Sequence, residues 1–409
     1  MRGGQFARLA RLLLTETFMS TMVRSRCVVN ISTVTSLQEL RALSSDWLEL
    51  VGRARCSLPY QLPEWLISWW EAFHQDHRLI RDSLHVKVVR RDSGELIGIV
   101  PFMLTERPRF GPLRARGLNL LGADPYITEQ RAPIVDPSYE ADVGRALVKD
   151  LLAEPAWDWI AWDGLQRDSG LAAAIESAAE LRWGRTETAN ILTLAPTWEQ
   201  FKSGLKRNIK ESLRHCHNAL QRDGLTVRLV VAENAADVDA ALDTFFRLHG
   251  LRALQAGKIQ HPDRFSAPRS RAFLRGVCAR LAERDAARVF TLHVGDTPVA
   301  ARVGFLLPDC LYLYYSGFDP GWGKYGVMTT TLAEAIKYAI ASGIPRVHLS
   351  MGVDDSKSRW GPERVDYQEA LEVRPAWSSR SALRLYLWAR EDVALQRALG
   401  RVWPRRQLT

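Results

Sequence analysis

The chain has 409 residues, 46% of them hydrophobic, so it can bury a large core, and its length alone predicts two or three domains. Its 55 basic and 46 acidic residues give a formal net charge of +9, which leaves polyanions and anionic membrane surfaces open as partners. No run of 18 apolar residues occurs, so the sequence predicts no membrane-spanning helix. Five scattered cysteines argue against a disulfide framework or a zinc site and favour a reducing cytoplasm.

The first elements along the chain are an extension, two helices and a hairpin. The basic start has an apolar stretch too short and too interrupted by arginine for a secretion signal, so residues 1–30 are predicted to be disordered or to follow a misplaced start codon. Leucines at helical spacing predict a helix within 35–50, and Pro63 begins a second helix. Within residues 84–104, apolar residues first alternate with polar ones, an Asp-Ser-Gly turn follows, and a second apolar strand segment runs back. This pattern is typical of a β-hairpin.

The same order of elements occurs in both halves of the chain. In the first half, a helix at 139–152 and a strand at 157–165 follow the hairpin. In the second half, a hairpin at 288–307 is followed by a helix at 327–341 and a strand at 346–352. This order predicts an internal duplication of a mixed α/β unit. The predicted segments are the extension 1–30, an N-terminal unit 31–195, a C-terminal unit 196–375, and a basic amphipathic helix 376–409.

A glycine-rich loop separates a predicted strand at 311–318 from the helix after it. Gly321, Gly323 and Gly326 fit either a turn that needs positive φ or the close approach of an anion to bare backbone. The helix amino terminus offers unpaired N–H groups and a positive dipole end, and Lys324 adds a charge. The pattern predicts a diphosphate-binding loop, although it is neither a dinucleotide fingerprint nor a P-loop.

With this order of elements, the second half resembles the GNAT acyltransferases. Several segments are also similar to the CelD/BcsL-type branch, which is related to the FemAB proteins: LPYQLPEWLISWWEAF, LKRNIKESLRHCHNAL, FFRLHGLRALQAGK and the KSRW that begins at Lys357. The resemblance covers about residues 34–375 and implies an α/β fold (α+β, mixed sheet) of two tandem GNAT-like domains. The chain departs from the branch at Gly326-Val327-Met328, at His348 and at Ser356.

The resemblance implies an acyl-CoA donor, most simply acetyl-CoA, and no metal. Donor contacts are predicted on the strand and the glycine loop, at Tyr314, Ser316, Gly317, Phe318, Gly323, Lys324, Tyr325, Gly326, Val327 and Met328.

Five residues are predicted to act in catalysis. His249 is the candidate general base, because histidine titrates near neutral pH. Arg252 shares its helix face and could hold an acidic acceptor group. Tyr315 is a candidate general acid, and Asp355 and Lys357 follow the last core strand. The first half lacks a glycine cluster before its helix, so it is predicted to bind no cofactor and to shape the acceptor site.

The predicted function is N- or O-acyl transfer to a small molecule or sugar, because CelD/BcsL-type proteins are associated with cellulose and exopolysaccharide production. A FemAB-like transferase using aminoacyl-tRNA and a non-catalytic double-GNAT scaffold remain as alternatives. The basic helix 206–222 lacks interleaved aromatic residues, so no specific nucleic acid is expected. Leu385, Trp388 and Trp403 with interspersed arginines fit either a peripheral membrane helix or a helix docked on the body.

Overall fold

The computed structural model describes residues 29–54, 56–77, 79–108, 114–123, 127–255 and 261–391. The described strands are β1 (Val29–Val34), β2 (Asp76–His77), β3 (Ile80–Arg91), β4 (Leu96–Arg107), β5 (Ala115–Leu120), β6 (Ile134–Val135), β7 (Trp159–Leu165), β8 (Leu181–Thr193), β9 (Val227–Ala232), β10 (Ala287–Val294), β11 (Thr297–Leu307), β12 (Cys310–Phe318), β13 (Arg346–Met351) and β14 (Glu363–Val373).

The described helices are α1 (Leu37–Ala42), α2 (Ser44–Arg53), α3 (Pro63–Phe73), α4 (Glu140–Ala153), α5 (Gly170–Glu176), α6 (Trp198–Gly204), α7 (Arg207–Arg222), α8 (Ala235–Ala253), α9 (Pro268–Ala282), α10 (Val327–Ala341), α11 (Asp355–Ser358) and α12 (Trp377–Glu391). Both predicted hairpins form, as β3–β4 and β10–β11. The predicted helix 327–341 is confirmed as α10, because its apolar face packs on the sheet at helical spacing.

One mixed sheet organises the described part of the chain. Its strands lie in the order β1-β3-β4-β5-β7-β14-β8-β13-β12-β11-β10-β9, with β2 and β6 attached to β3 and β4. Most neighbours are antiparallel, but β5–β7 and β12–β13 are parallel pairs. The predicted mixed α/β fold is therefore confirmed. The repeated pair of parallel strands lies at the same place in each half, as the internal duplication predicts.

The last strand of each half pairs with the other half. Strand β8, which closes the first half, lies between β14 and β13 of the second half. Strand β14, which closes the second half, lies between β8 and β7. A sequence boundary at 195/196 therefore does not correspond to a boundary in the sheet, because the two halves exchange strands there.

This exchange predicts that residues 29–195 do not fold alone. In that fragment β8 loses both of its neighbours and β7 loses one, which leaves a long unpaired edge. We expect the isolated fragment to show no cooperative urea transition, and we expect mixing it with residues 196–391 to restore one. A cooperative transition of the first fragment by itself would contradict the role given to the exchanged strands.

An aromatic core joins the two halves. Helix α3 is buried along most of its length, and Trp65 packs edge-on against Phe273, Phe305 and Tyr314 of the second half. Such aromatic pairs bury large apolar areas and fix relative orientation. The core places Tyr60, just before α3, beside strand β12.

The structure describes only part of the predicted extension 1–30 and part of the predicted C-terminal helix 376–409. Strand β1 begins at Val29 and pairs with β3, so the last two residues of the predicted extension 1–30 are ordered by a strand partner. At the other end, Leu383 and Tyr386 of α12 pack on β5 and β7, while Trp377 is 84% exposed. Residues 1–28 and 392–409 lie outside the described residues, and membrane contact through the C-terminal helix stays a prediction. Within the described ranges, none of the helices has the length and hydropathy needed to cross a bilayer.

Candidate functional site

The two central parallel strands of the second half separate part-way along their length. Strands β12 and β13 pair only through Cys310–Tyr312 and Arg346–His348. Beyond the Tyr312–His348 pair, β12 continues to Phe318 without β13 beside it. Ser350, with φ of +67°, then breaks the regular course of β13. The carboxyl ends of parallel strands are where open α/β sheets bind ligands.

Strand β12 carries a bulge where this opening begins. Its register with β11 shifts between the Arg302–Ser316 and Gly304–Leu313 pairs, so β12 contains one extra residue there. The bulge falls at Tyr314 and Tyr315 and changes the direction of the backbone groups next to the opening. Bulges of this kind are frequent beside active sites, where they redirect a peptide group or a side chain.

The glycine loop lies at the far end of the opening, and its glycines have different roles. Gly326 has φ of +63°, and a Cβ there would lie 2.3 Å from Cys216 Sγ on α7. This glycine is therefore required by the turn and by packing. A Cβ at Gly323 would meet only the Phe318 ring, at 3.9 Å, so the backbone there is open to a ligand. The close-approach explanation applies to Gly323 and not to Gly326.

Arg359 lies beside the amino end of α10. Its Nη2 donates to Thr329 Oγ1 at 2.8 Å, and its Nη1 lies 3.5 Å from Ser212 Oγ on α7. Its Nε is buried without a hydrogen-bond partner among the described residues. A guanidinium next to a helix amino terminus is a strong anion-binding combination. This arginine lies in the KSRW segment, but no sequence pattern identified it as a binding residue.

Part of the chain matches the model of a known protein family. Residues 207–358 match the model of the acetyltransferase (GNAT) domain. The chain contains a GNAT-type acetyltransferase domain. The matched segment includes β12, the glycine loop, α10 and β13. A search of curated proteins by sequence found no match.

Solved structures found by comparison align with most of this chain. FemX has a TM-score of 0.56 and 12% identity over 83% of this chain and 96% of that one. The C-terminal domain of a putative lysylphosphatidylglycerol synthetase from Agrobacterium fabrum has a TM-score of 0.48 and 13% identity, over 85% and 95% of the two chains. A tandem GNAT protein from the clavulanic acid biosynthesis pathway has a TM-score of 0.43 and 11% identity, over 85% and 100%. The FemX likeness concerns the fold alone.

Most of the predicted donor-strand side chains in the GNAT domain are used for packing. Tyr314 is 2% exposed, and its hydroxyl donates to the Ile127 carbonyl at 2.5 Å. A Cβ at Gly317 would lie 2.2 Å from the backbone nitrogen of His249, so this glycine lets α8 contact β12. Only backbone groups of Tyr314 and Gly317 are therefore available to a donor.

The predicted loop residues divide into buried and exposed groups. Tyr325 is buried and donates to Asp223 at 2.7 Å, and Val327 is buried against the sheet. Lys324 keeps 69% of its side chain exposed, 3.9 Å from Asp223. An exposed ion pair of this kind adds little to stability, so Lys324 remains available to an anion. Phe318 and Met328 are partly buried in the cluster beneath the loop.

His249 lies at the centre of the packing between α8 and β12. Its Nδ1 is 2.9 Å from the Ser316 carbonyl, and its Nε2 accepts from the backbone N–H of Arg264 at 3.3 Å. The side chain is 4% exposed, and burial lowers the pKa of the imidazole. Because both ring nitrogens are engaged by backbone, the geometry argues against His249 as the general base and makes it a residue that fixes Ser316.

Of the other predicted catalytic residues, Arg252 and Tyr315 lie near His249, whereas Asp355 and Lys357 lie after the end of β13. Arg252 donates to Ser316 Oγ at 3.0 Å and contacts His261, so it lies beside His249 as predicted. Lys357 donates to the Met351 carbonyl at 2.5 Å at the end of β13. Asp355, by contrast, is exposed on the short helix α11. Tyr315 is partly buried, with its ring 5.7 Å from that of His249.

A polar cluster that no sequence pattern predicted lies at the base of the opening. Glu129, from the first half, accepts from the Tyr312 hydroxyl at 2.5 Å and from the Tyr60 hydroxyl at 2.8 Å. Burial raises the pKa of the Glu129 carboxyl, although these two hydrogen bonds and the charges of Lys357 and Arg302 act against that shift. Burial also lowers the pKa of Arg302 to about 10. Glu129 stands in a loop with no pattern that could have identified it.

The corresponding opening in the first half is filled by the chain itself. Strands β5 and β7 pair in parallel only up to Ala161. Beyond that point Asp163 accepts from Gln130 Nε2 at 2.6 Å and from Arg131 Nε at 2.7 Å. A Cβ at Gly164 would lie 2.0 Å from the Arg131 carbonyl oxygen. Gln130, Arg131 and Ala132 therefore occupy in this half the place that is open in the GNAT domain. Within the described ranges, no group of three or more His, Cys, Asp or Glu residues is placed to hold a metal ion.

Proposed function

We propose that the protein transfers an acyl group, most simply acetyl, from acyl-CoA to an amine or hydroxyl of a small acceptor. The observation that supports this most strongly is the opening between β12 and β13 beyond the Tyr312–His348 pair, which leads to the amino end of α10. An extended pantetheine arm can lie along the unpaired side of β12 as an added strand does. The donor thioester would then lie next to the β12 bulge.

The diphosphate of the donor fits the amino end of α10. The first amides of that helix, at Val327 and Met328, precede its regular hydrogen bonds and carry the positive dipole end. The buried, unpartnered Nε of Arg359 supplies a charged donor beside them. Open space at Gly323 allows a phosphate to approach the backbone of the loop. These groups favour a compact anion of low charge more than a long polyanion.

The FemAB-like alternative has one feature in its favour. A groove of about 560 Å³ between α6, α7 and α10 is lined by basic side chains. They are Lys202, Lys210, Arg214, His217 and Lys337. A phosphate backbone lying in this groove would place aminoacyl-tRNA near the same α10 terminus. We rank this function second, because Glu199 and Glu334 also line the groove and reduce its positive charge.

Salt dependence separates the two donor classes. Titration calorimetry and thermal shift on the full chain should show acetyl-CoA binding that persists at 0.2 M salt, because few charges are neutralised. Aminoacyl-tRNA binding should be weak, indifferent to aminoacylation and lost near that salt concentration, since each phosphate contact contributes a log–log slope of about −0.7 to −0.9. Tight discrimination of charged from uncharged tRNA, with no acetyl-CoA binding, would overturn our proposal and favour the FemAB-like function.

The acceptor class belongs to the same proposal and rests on the resemblance to the CelD/BcsL-type branch. A sugar or amino sugar used in polysaccharide production is our first choice. The cationic side chains near the opening, Arg252 and Arg302, would suit an acceptor that also carries an acidic group. A cytoplasmic location is proposed from the scattered cysteines, four of which are free and buried in the described residues.

A further inference from the structure

The Glu129 cluster joins both halves of the molecule at the point where β12 and β13 separate. Tyr312 is the last β12 residue that pairs with β13, and its ring lies 4.4 Å from that of His348, its partner across the pair. The Tyr312 hydroxyl donates to Glu129 Oε2. The carboxylate is therefore held at the inner end of the opening, close to the bulge where the reacting carbonyl would lie.

Two hydroxyl donors fix the position of this carboxylate. The Tyr60 and Tyr312 hydroxyl oxygens lie 3.2 Å apart and both contact the same oxygen, Glu129 Oε2. The other oxygen, Oε1, has no hydrogen bond among the described residues, and Glu129 is only partly buried. One oxygen is thus anchored while the other is left to accept a proton from a bound molecule.

The polar and charged groups around Glu129 come from four other segments of the chain. Lys357 of α11 and Arg302 of β11 both act electrostatically on the carboxyl, and the two tyrosines come from the segment before α3 and from β12. Arg302 Nε is buried without a hydrogen-bond partner among the described residues. The site therefore combines one proton acceptor with cations that can hold an acidic part of an acceptor molecule.

We propose that Glu129 is the general base of acyl transfer and that the acceptor is an amine that also carries a carboxylate or phosphate. Tyr60 and Tyr312 are positioning residues that orient the carboxylate. This inference rests on the proposed function, because it needs a thioester in the opening. It replaces His249, whose ring nitrogens both contact backbone, with a carboxylate from the opposite half.

The acceptor nitrogen attacks the thioester carbonyl carbon and forms the C–N bond, while Glu129 takes one proton from that nitrogen. The C–S bond then breaks and the electron pair leaves on the CoA sulfur. The proton held by Glu129 passes to this thiolate, which restores the carboxylate and gives an amide and free CoA thiol. A carboxylate with a raised pKa suits both proton transfers.

The test compares wild-type protein with the Glu129→Gln variant in full-length form. Thiol release from acetyl-CoA is measured with water alone and with a panel of amines, including glucosamine 6-phosphate and glutamate. We expect the variant to lose roughly 10²–10⁴ in rate, the usual contribution of a general base. Its affinity for acetyl-CoA should stay within about twofold, because Glu129 does not contact the diphosphate site. Glu180→Gln, an exposed change far along the first half, is the matched control.

The pH profile gives a second readout. Activity requires the ionised carboxylate, so the rate should fall as pH drops through the pKa of Glu129, which is raised above its usual range. Tyr312→Phe removes a donor that stabilises the charged form, so this acid limb should move to higher pH. A merely structural role for Tyr312 would lower the rate without moving the limb.

The measurements separate the role of Glu129 from the proposed function. Acetyl-CoA binding together with equal thiol release by wild-type protein and Glu129→Gln would overturn the role of Glu129 and leave the proposed function standing. Failure of wild-type protein to bind acetyl-CoA would overturn the proposed function and, with it, this inference. Acetyl-CoA binding without thiol release to any amine of the panel would overturn this inference alone, because the proposed function also allows a hydroxyl acceptor. An unshifted acid limb in both the Tyr312→Phe and Tyr60→Phe variants would remove the tyrosines from the positioning role.

Discussion

Gly317→Ala should destabilise the protein by about 3 kcal/mol or more, at the upper end of the range for overpacking. The new Cβ would lie 2.2 Å from the backbone nitrogen of His249 and 2.5 Å from the carbonyl carbon of Leu248. Neither atom can rotate away, so α8 would have to move off β12. Urea denaturation followed by tryptophan fluorescence should show a lower midpoint with an unchanged slope.

Gly323→Ala is the matched control, because the same change is made in a neighbouring glycine with open space. Its Cβ would meet only the Phe318 ring, at 3.9 Å, so stability should stay within about 0.5 kcal/mol of wild type, as for ordinary surface changes. A larger side chain at the same position, Gly323→Leu, should keep this stability and weaken acetyl-CoA binding. Equal destabilisation by Gly317→Ala and Gly323→Ala would contradict the packing described for α8.

Arg359→Gln should weaken acetyl-CoA binding by roughly tenfold to a hundredfold. A hydrogen bond to a charged group contributes about 1.5–3 kcal/mol, and each 1.4 kcal/mol corresponds to about a factor of ten in affinity. The change removes the charge beside α10 together with the hydrogen bond from Nη2 to Thr329. Calorimetric titration with acetyl-CoA and with dephospho-CoA should show the same loss for both ligands, because the diphosphate is common to them.

Arg364→Gln is the control for charge. This arginine is exposed and lies 3.4 Å from Ser358 Oγ, on the same stretch of chain as Arg359. The control should bind acetyl-CoA with wild-type affinity. A Kd for Arg359→Gln within twofold of wild type would show that the guanidinium does not contact the donor and that its buried Nε is satisfied in another way.

Local patterns were sufficient to predict much of the fold. The hairpin β10–β11 and the helix α10 follow from apolar periodicity and turn residues within a few positions. The exchange of β8 and β14 could not be predicted in this way, because it pairs residues such as Ala370 and Trp183 that are far apart in sequence. Nothing in the composition of either strand specifies which half provides its partner.

In the candidate site, too, local patterns predicted some features, while others depend on contacts between residues far apart in sequence. The glycine loop was identified from its position between a strand and a helix, but spacing could not show that Gly326 is needed for a turn while Gly323 faces open space. His249 has the residue type of a general base, yet its accessibility depends on Ser316, which lies far along the chain. Glu129 acquires its setting only when the two halves pack together.

Hydrogen exchange of the full chain with and without acetyl-CoA tests the central claim most directly. If the donor lies in the opening of the second half, protection on binding should concentrate in peptides covering 313–330 and 352–360. The corresponding peptides of the first half, 115–123 and 159–166, should be unchanged, because Gln130, Arg131 and Ala132 fill that opening. Protection confined to the first half, or acetyl-CoA binding that leaves 313–330 unprotected, would contradict the account.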